Sequence, residues 1–175
     1  YGLDGSGDGG NSPSIDPNSE YVISTNQNSG NAITNNSGTT ISNSTFTGVE
    51  NASDNIKWIL EQSGDRYYIK NKKTGSYLSY TNNGSYFNPR YDLSMSTSKN
   101  QAETFEISSN GSTVNICFSV TILFNPRTYY LGYNSGWNLS TNPTNLYLND
   151  TKKEDPKPDP DPDPEDEPTL STIDI

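Results

Sequence analysis

Short alternating apolar runs, separated by polar turns, fill the middle of the chain. The clearest is residues 64–80, where Tyr67 and Ile69 alternate with Tyr68 and Lys70. A period of two places alternate side chains on opposite faces of a strand, so Tyr67 and Ile69 are expected inward and Tyr68 outward. Lys72, Lys73, Thr74 and Gly75 form a polar turn, and Tyr77, Leu78 and Tyr80 restart the pattern. This predicts a two-stranded hairpin. Weaker runs precede it at Tyr21–Ser24, Ala32-Ile33, Ile41, Phe46 and Val49, then at Lys57–Leu60, where Trp58 and Leu60 share a face. After it come Tyr91, Leu93 and Met95; Phe105 and Ile107; Val114, Ile116 and Phe118; Thr128–Tyr133; Trp137 and Leu139; and Leu146 and Leu148. Turns are expected at Asn26–Gly30, tightly at Asn82-Asn83-Gly84, at Asn110-Gly111, and at Asn125-Pro126-Arg127.

The spacing of these runs adds a second level. Ile23, Ile69 and Ile116 are 46 and 47 residues apart; Ile33, Leu78 and Leu131 are 45 and 53 apart. Ile41, Leu93 and Leu139 give 52 and 46, and Trp58, Phe105 and Leu146 give 47 and 41. Four apolar positions thus recur three times in one order, with an insertion expected between Cys117 and Arg127. Three units of about four short strands make roughly twelve, which suits an all-β, β-trefoil-like domain; a β-sandwich or another barrel is the alternative.

The segment Tyr67-Tyr68-Ile69-Lys70-Asn71-Lys72-Lys73-Thr74-Gly75-Ser76-Tyr77-Leu78 resembles the repeat of ricin-type β-trefoil modules, Y-x-I-x-N-x-x-[ST]-G-x-x-L. Tyr129-Tyr130-Leu131-Gly132-Tyr133-Asn134-Ser135-Gly136-Trp137 is similar to a pattern in large surface proteins of low-GC Gram-positive bacteria. The first resemblance implies the trefoil scaffold. The Gln-x-Trp that closes each ricin repeat is absent, its places being taken by Lys57-Trp58, Thr104-Phe105 and Asn145-Leu146, so no sugar ligand carries across residue by residue.

Charge narrows the function. The net charge is −10, but the acid is concentrated at the C-terminal end, and residues 20–150 are nearly balanced. The domain therefore lacks the basic footprint of a nucleic-acid binder. No apolar run approaches the roughly 18 residues of a membrane-spanning helix. Residues 1–18 are rich in Gly, Ser, Asp, Asn and Pro and read as a linker. Asp4, Ser6, Asp8 and Gly9 imitate half an EF-hand loop, but Ile15 stands where the bidentate Glu belongs. Residues 19–150 form the expected domain. Residues 151–168 carry Pro at alternate positions among acids and read as an extended spacer, similar to those between modules of Gram-positive surface proteins. Residues 169–175 return to β-prone sequence, as the start of a following domain, and Tyr1-Gly2-Leu3 suggests a piece of a longer chain.

Catalytic chemistry finds little to work with. There is no His, which removes Ser-His-Asp, Cys-His and His-metal arrangements. Glu50, Glu61, Glu103 and Glu106 have no context marking a carboxylate pair, and no phosphate-binding glycine loop is present. Cys117, the single cysteine, sits in a strand-like run and reads as a buried structural thiol. The expectation is a non-enzyme with no cofactor or metal. Exposed Tyr and Trp rings beside amides suit sugar faces, and the candidates are Tyr68, Tyr80, Tyr86, Tyr91, Tyr130, Tyr133 and Trp137; core or cross-strand packing is the commoner role for each such ring taken singly. The expected role is an extracellular carbohydrate-binding or adhesion module, monomeric within a longer cell-surface or wall protein. Its partner would be a glycan or host surface protein. The alternative is a structural spacer or protein-binding adhesin domain, with Lys57 or Lys70 as isopeptide candidates. In the adhesin reading the loops Tyr86–Arg90 and Phe124–Arg127, which both contain Phe-Asn-Pro-Arg, would make the contact.

Overall fold

A computed structural model describes residues 14–152, so the expected linker, spacer and following domain lie almost wholly outside the described residues. The described chain is all-β apart from three single-turn 3₁₀ segments. Its strands are β1 (Tyr21–Asn26), β2 (Ser29–Asn35), β3 (Ile41–Phe46), β4 (Lys57–Ser63), β5 (Arg66–Asn71) and β6 (Tyr77–Asn82), followed by β7 (Tyr91–Ser96), β8 (Glu106–Asn110), β9 (Thr113–Ile122), β10 (Asn125–Tyr133), β11 (Trp137–Ser140) and β12 (Tyr147–Asp150).

All pairings are antiparallel. One sheet runs β3-β2-β1-β4-β5-β6-β7, with β12 also paired to β1; the other runs β11-β10-β9-β8. Two isolated bridges, Tyr67 with Phe105 and Val114 with Leu146, join them. Each bridge exchanges two backbone hydrogen bonds of 2.8–2.9 Å. The circuit β1-β4-β5-β8-β9-β12-β1 is therefore a nearly closed, barrel-like sheet, and it leaves few unpaired edges. The pairs β2–β3, β6–β7 and β10–β11 stand off this circuit as hairpins.

The recurring apolar positions meet in one core. Ile23, Ile69 and Ile116 have no exposed surface, nor do Ile33, Leu78 and Leu131, nor Trp58, Phe105 and Leu146. Ile41, Leu93 and Leu139 are half-buried and pack on the same cluster. All four sets fall on strands four apart along the chain, save that Phe105 and Leu146 occupy the bridges just ahead of β8 and β12. An indole Nε1–H from Trp58 donates to the Ile33 carbonyl at 3.0 Å, which lets the largest core side chain be buried without an unpaired donor. The hairpin at residues 66–82 forms as its alternation predicts, with Tyr67, Ile69 and Asn71 buried and Tyr68 and Lys70 half-exposed.

Two turn assignments need correction. Residues Asn125, Pro126 and Arg127 are not a turn but the start of β10, opposite Ile122, Thr121 and Val120. The turn is Leu123-Phe124, both left-handed at φ 51° and 68°. Pro126 fits the strand because the pair flanking a two-residue hairpin turn exchanges hydrogen bonds and the next pair does not, so no N–H is missed there. The additional residues foreseen between Cys117 and Arg127 thus lengthen β9 and β10 into a projecting hairpin. Asn82-Asn83-Gly84 is likewise not a tight turn. It opens a loop over residues 83–90 in which the Asn82 amide oxygen accepts from the N–H groups of Gly84 and Arg90. A Cβ at Gly84 would lie 2.4 Å from the Asn88 carbonyl oxygen, so only glycine fits this fold of the loop. Consequently the two Phe-Asn-Pro-Arg copies are not equivalent turns; one closes an irregular loop and the other leaves a strained hairpin tip.

Candidate functional site

The strands β3, β7 and β11 come together where Ile41, Leu93 and Leu139 pack on the core, and an open cleft of about 510 Å³ lies over them. Its walls carry Asn43 and Ser42 from β3, Tyr91, Asp92 and Ser94 from β7, and Trp137 and Asn138 from β11. Trp137 is the fixed element. It pairs directly with Tyr133 across β10–β11, and their rings meet edge to face at 5.5 Å. Its Nε1–H donates to the Asn43 Oδ1 at 2.9 Å, while the Asn43 amide donates in turn to Asn31 Oδ1 at 2.8 Å. The indole is therefore held by packing on one side and a hydrogen-bond relay on the other. The turn that delivers it depends on left-handed Ser135 and on Gly136 at φ 155°.

Tyr91 enters the cleft from the opposite wall, with its ring against Phe118 at 5.1 Å and Tyr129 at 5.0 Å. Burial, followed by the neighbouring Tyr129 and Glu103, raises its phenol above the ordinary tyrosine range, so it stays a neutral donor. Asp92 accepts from the Asn83 amide at 2.7 Å and faces the Arg90 guanidinium at 3.5 Å, which orients it at the cleft rim.

Of the seven aromatic candidates, Tyr91 and Trp137 share this cleft, with Tyr133 backing the indole. The others are elsewhere. Tyr80 stacks on Phe118 with centroids 3.5 Å apart and planes within 1°, and its hydroxyl donates to the Thr104 carbonyl at 2.9 Å. Burial above all pushes its phenol up to about 12. Tyr68 lies edge-on to Tyr77, with the Lys99 ammonium 5.0 Å from its ring centre. Tyr86 is exposed on the 83–90 loop against Phe87, and Tyr130 is half-buried in β10 between Cys117 and Ser140. The polar partners Asn43, Asp92 and Asn138 escaped the sequence reading, because Asn and Asp are scattered throughout and no spacing marks these three.

A second, larger cleft of about 1100 Å³ borders β1, β12 and the β8–β9 turn, and its aromatic lining is Tyr21 and Tyr147 alone. Volume favours it, but the smaller cleft holds the oriented aromatic wall that ligand stacking requires. Among the described residues no group of three or more His, Cys, Asp or Glu is placed to hold a metal ion. Of the isopeptide candidates, Lys57 faces Asp54 at 3.5 Å and Lys70 lies 6.0 Å from the Tyr77 ring centre. Cys117 is buried, and burial, with the Glu106 carboxylate second, pushes its thiol up to about 11. Comparison with known proteins finds no matching family model and no matching curated protein.

Proposed function

We infer that the chain is a non-catalytic β-trefoil module of ricin-type ancestry that binds a glycan at the surface of a Gram-positive bacterium. The trefoil reading is supported by the six-strand circuit, by the three hairpins standing off it, and by apolar triplets that recur on strands four apart. The ligand reading rests on one observation, the immobilised Trp137 indole in a polar-rimmed cleft. A pyranose presents an apolar C–H face and a ring of hydroxyls. The first suits the indole, and the second suits the Asp92 carboxylate and the Asn138 amide. Because the indole is already locked by Asn43, no rotamer freedom is lost there on binding.

Titration calorimetry against glycans that score on an array tests the reading. Trp137→Ala is expected to lower affinity at least about tenfold, the fold-change for a lost stacking contact of roughly 1.4 kcal/mol. Asn43→Ala, which frees the indole without removing it, is expected to lower it less. Binding that survives Trp137→Ala unchanged, in protein with native circular dichroism, refutes this site.

A further inference from the structure

The large hydrophobic side chains standing exposed among the described residues are four: Tyr86 at 65%, Phe87 at 66%, Leu123 at 57% and Phe124 at 95%. They are confined to two tips, the 83–90 loop and the β9–β10 turn. Both tips spring from one aromatic hub. Tyr91, which pairs with Asn82 to close the first, packs on Phe118 and Tyr129, the cross-strand pair near the base of the second.

The β9–β10 tip is the more telling. Two consecutive left-handed residues suit Asn-Gly, because Leu and Phe carry a Cβ penalty in that region. Other turns of the chain put Asn or Gly at a left-handed position, with Asn28, Gly64 and Gly111 after β1, β4 and β8, and Ser135 before β11 is the further exception. At residues 123–124 the chain instead holds a strained backbone and shows water two apolar side chains, a combination that costs stability twice. Strain kept at an exposed apolar tip points to contact with something else.

We propose that these two tips dock the domain onto an anionic phospholipid surface, with Phe124, Leu123, Phe87 and Tyr86 dipping into the headgroup boundary. The shape favours a bilayer over a protein. The apolar groups are convex prongs on separate loops, not the continuous patch of roughly 800 Å² per partner that a stable protein interface buries. The charge agrees. From Asn82 to Tyr91 and from Ser119 to Thr128 each tip holds one charged residue, Arg90 or Arg127, three positions after its Phe. Arg90 is shared with Asp92, whereas Arg127 pairs with no carboxylate among the described residues. Aromatic rings beside an Arg that extends to the phosphate level match the interfacial zone. No spanning segment is involved; none of the helical segments in the described residues is long and apolar enough to cross a membrane.

The full chain is tested by co-sedimentation with vesicles of phosphatidylcholine containing one quarter phosphatidylserine, against pure phosphatidylcholine. At a net charge of −10, bulk attraction cannot mimic binding to anionic vesicles, so any binding is local. Phe124→Ser is expected to weaken it about tenfold. Arg127→Gln should weaken it about fivefold, with loss of the preference for phosphatidylserine. The double variant Leu123→Asn, Phe124→Gly relieves the turn and removes the prong together. It should sediment no longer yet melt at the same temperature or higher, an outcome that a packing role for Leu123 and Phe124 does not allow. The proposal is overturned if the parent chain stays in the supernatant, or if the double variant sediments as before. Tip-dependent self-association in velocity sedimentation without lipid would also overturn it, by assigning the prongs to a second copy.

Discussion

Asn71 gives the sharpest test of how the fold is held, because one buried amide serves three backbone groups. Its Nδ2 donates to the Asn55 carbonyl at 2.9 Å, and its Oδ1 accepts from the N–H groups of Lys73 at 3.0 Å and Thr74 at 3.1 Å. The same side chain thus ties the β5–β6 turn to the segment entering β4. In Asn71→Ala all three partners are released. Lys73 is exposed, so its N–H finds water at small cost, but Asn55 and Thr74 are half-buried. With about 1–3 kcal/mol for each poorly solvated group and less for the solvated one, the expected loss is about 3 kcal/mol. For a domain of this size that corresponds to a melting temperature lower by about 10 °C. Asn71→Asp retains both acceptor bonds but buries a carboxylate against the Asn55 carbonyl, so it too should lose stability. Urea unfolding followed by far-ultraviolet circular dichroism measures both, with Lys73→Ala as a control that should change stability by less than about 0.5 kcal/mol. A loss below about 1 kcal/mol in Asn71→Ala would refute the reasoning, since it would mean that water replaces the amide at all three sites.

Other outcomes follow from the core. Phe118 touches the rings of Tyr80, Tyr91, Phe105 and Tyr129, so Phe118→Ala should cost about 3–5 kcal/mol in urea unfolding, and a loss under about 1 kcal/mol would contradict that packing. Tyr80, with its phenol held up to about 12, favours the fold below its ordinary value near 10 and loses that contribution as pH rises toward 12. Alkaline unfolding should therefore fall in that window and be blunted in Tyr80→Phe, as a spectrophotometric tyrosine titration would read. Cys117, buried with its thiol raised to about 11, should resist a disulfide reagent at pH 8 until the chain unfolds; prompt reaction of the native protein would contradict its placement.

Much of the core was legible because burial imposes periodicity. Ile23, Ile69 and Ile116 could be aligned from spacing alone, and each has no exposed surface. Turn chemistry misled where the architecture of the loop overrode local preference. Asn125-Pro126 has turn composition, yet the chain turns two residues earlier on Leu123-Phe124, which no propensity rule would select. Asn83-Gly84 resembles a two-residue turn, but Asn82 uses its side chain to hold open a longer loop. At the cleft, the sequence pointed to Tyr91 and Trp137 as aromatics but could not separate them from Tyr80, whose ring the fold stacks on Phe118. Neither could it identify Asn43 as the group that orients the indole, because β3 and β11 are distant in sequence and meet only in the folded chain.

The pairing of β1 with β12 has a mechanical consequence. Tyr21 lies opposite Asp150, so the folded unit begins and ends side by side at one point on its surface. There the Thr151 N–H and hydroxyl both donate to the Glu20 carbonyl, and the Lys152 ammonium donates to the Asn18 carbonyl. Tension transmitted along the polypeptide would meet this seam end-on and part it one rung at a time, as a zipper opens, instead of shearing all rungs together. Pulled from its two ends, the unit would hang beside a taut chain as a pendant, held at this single seam.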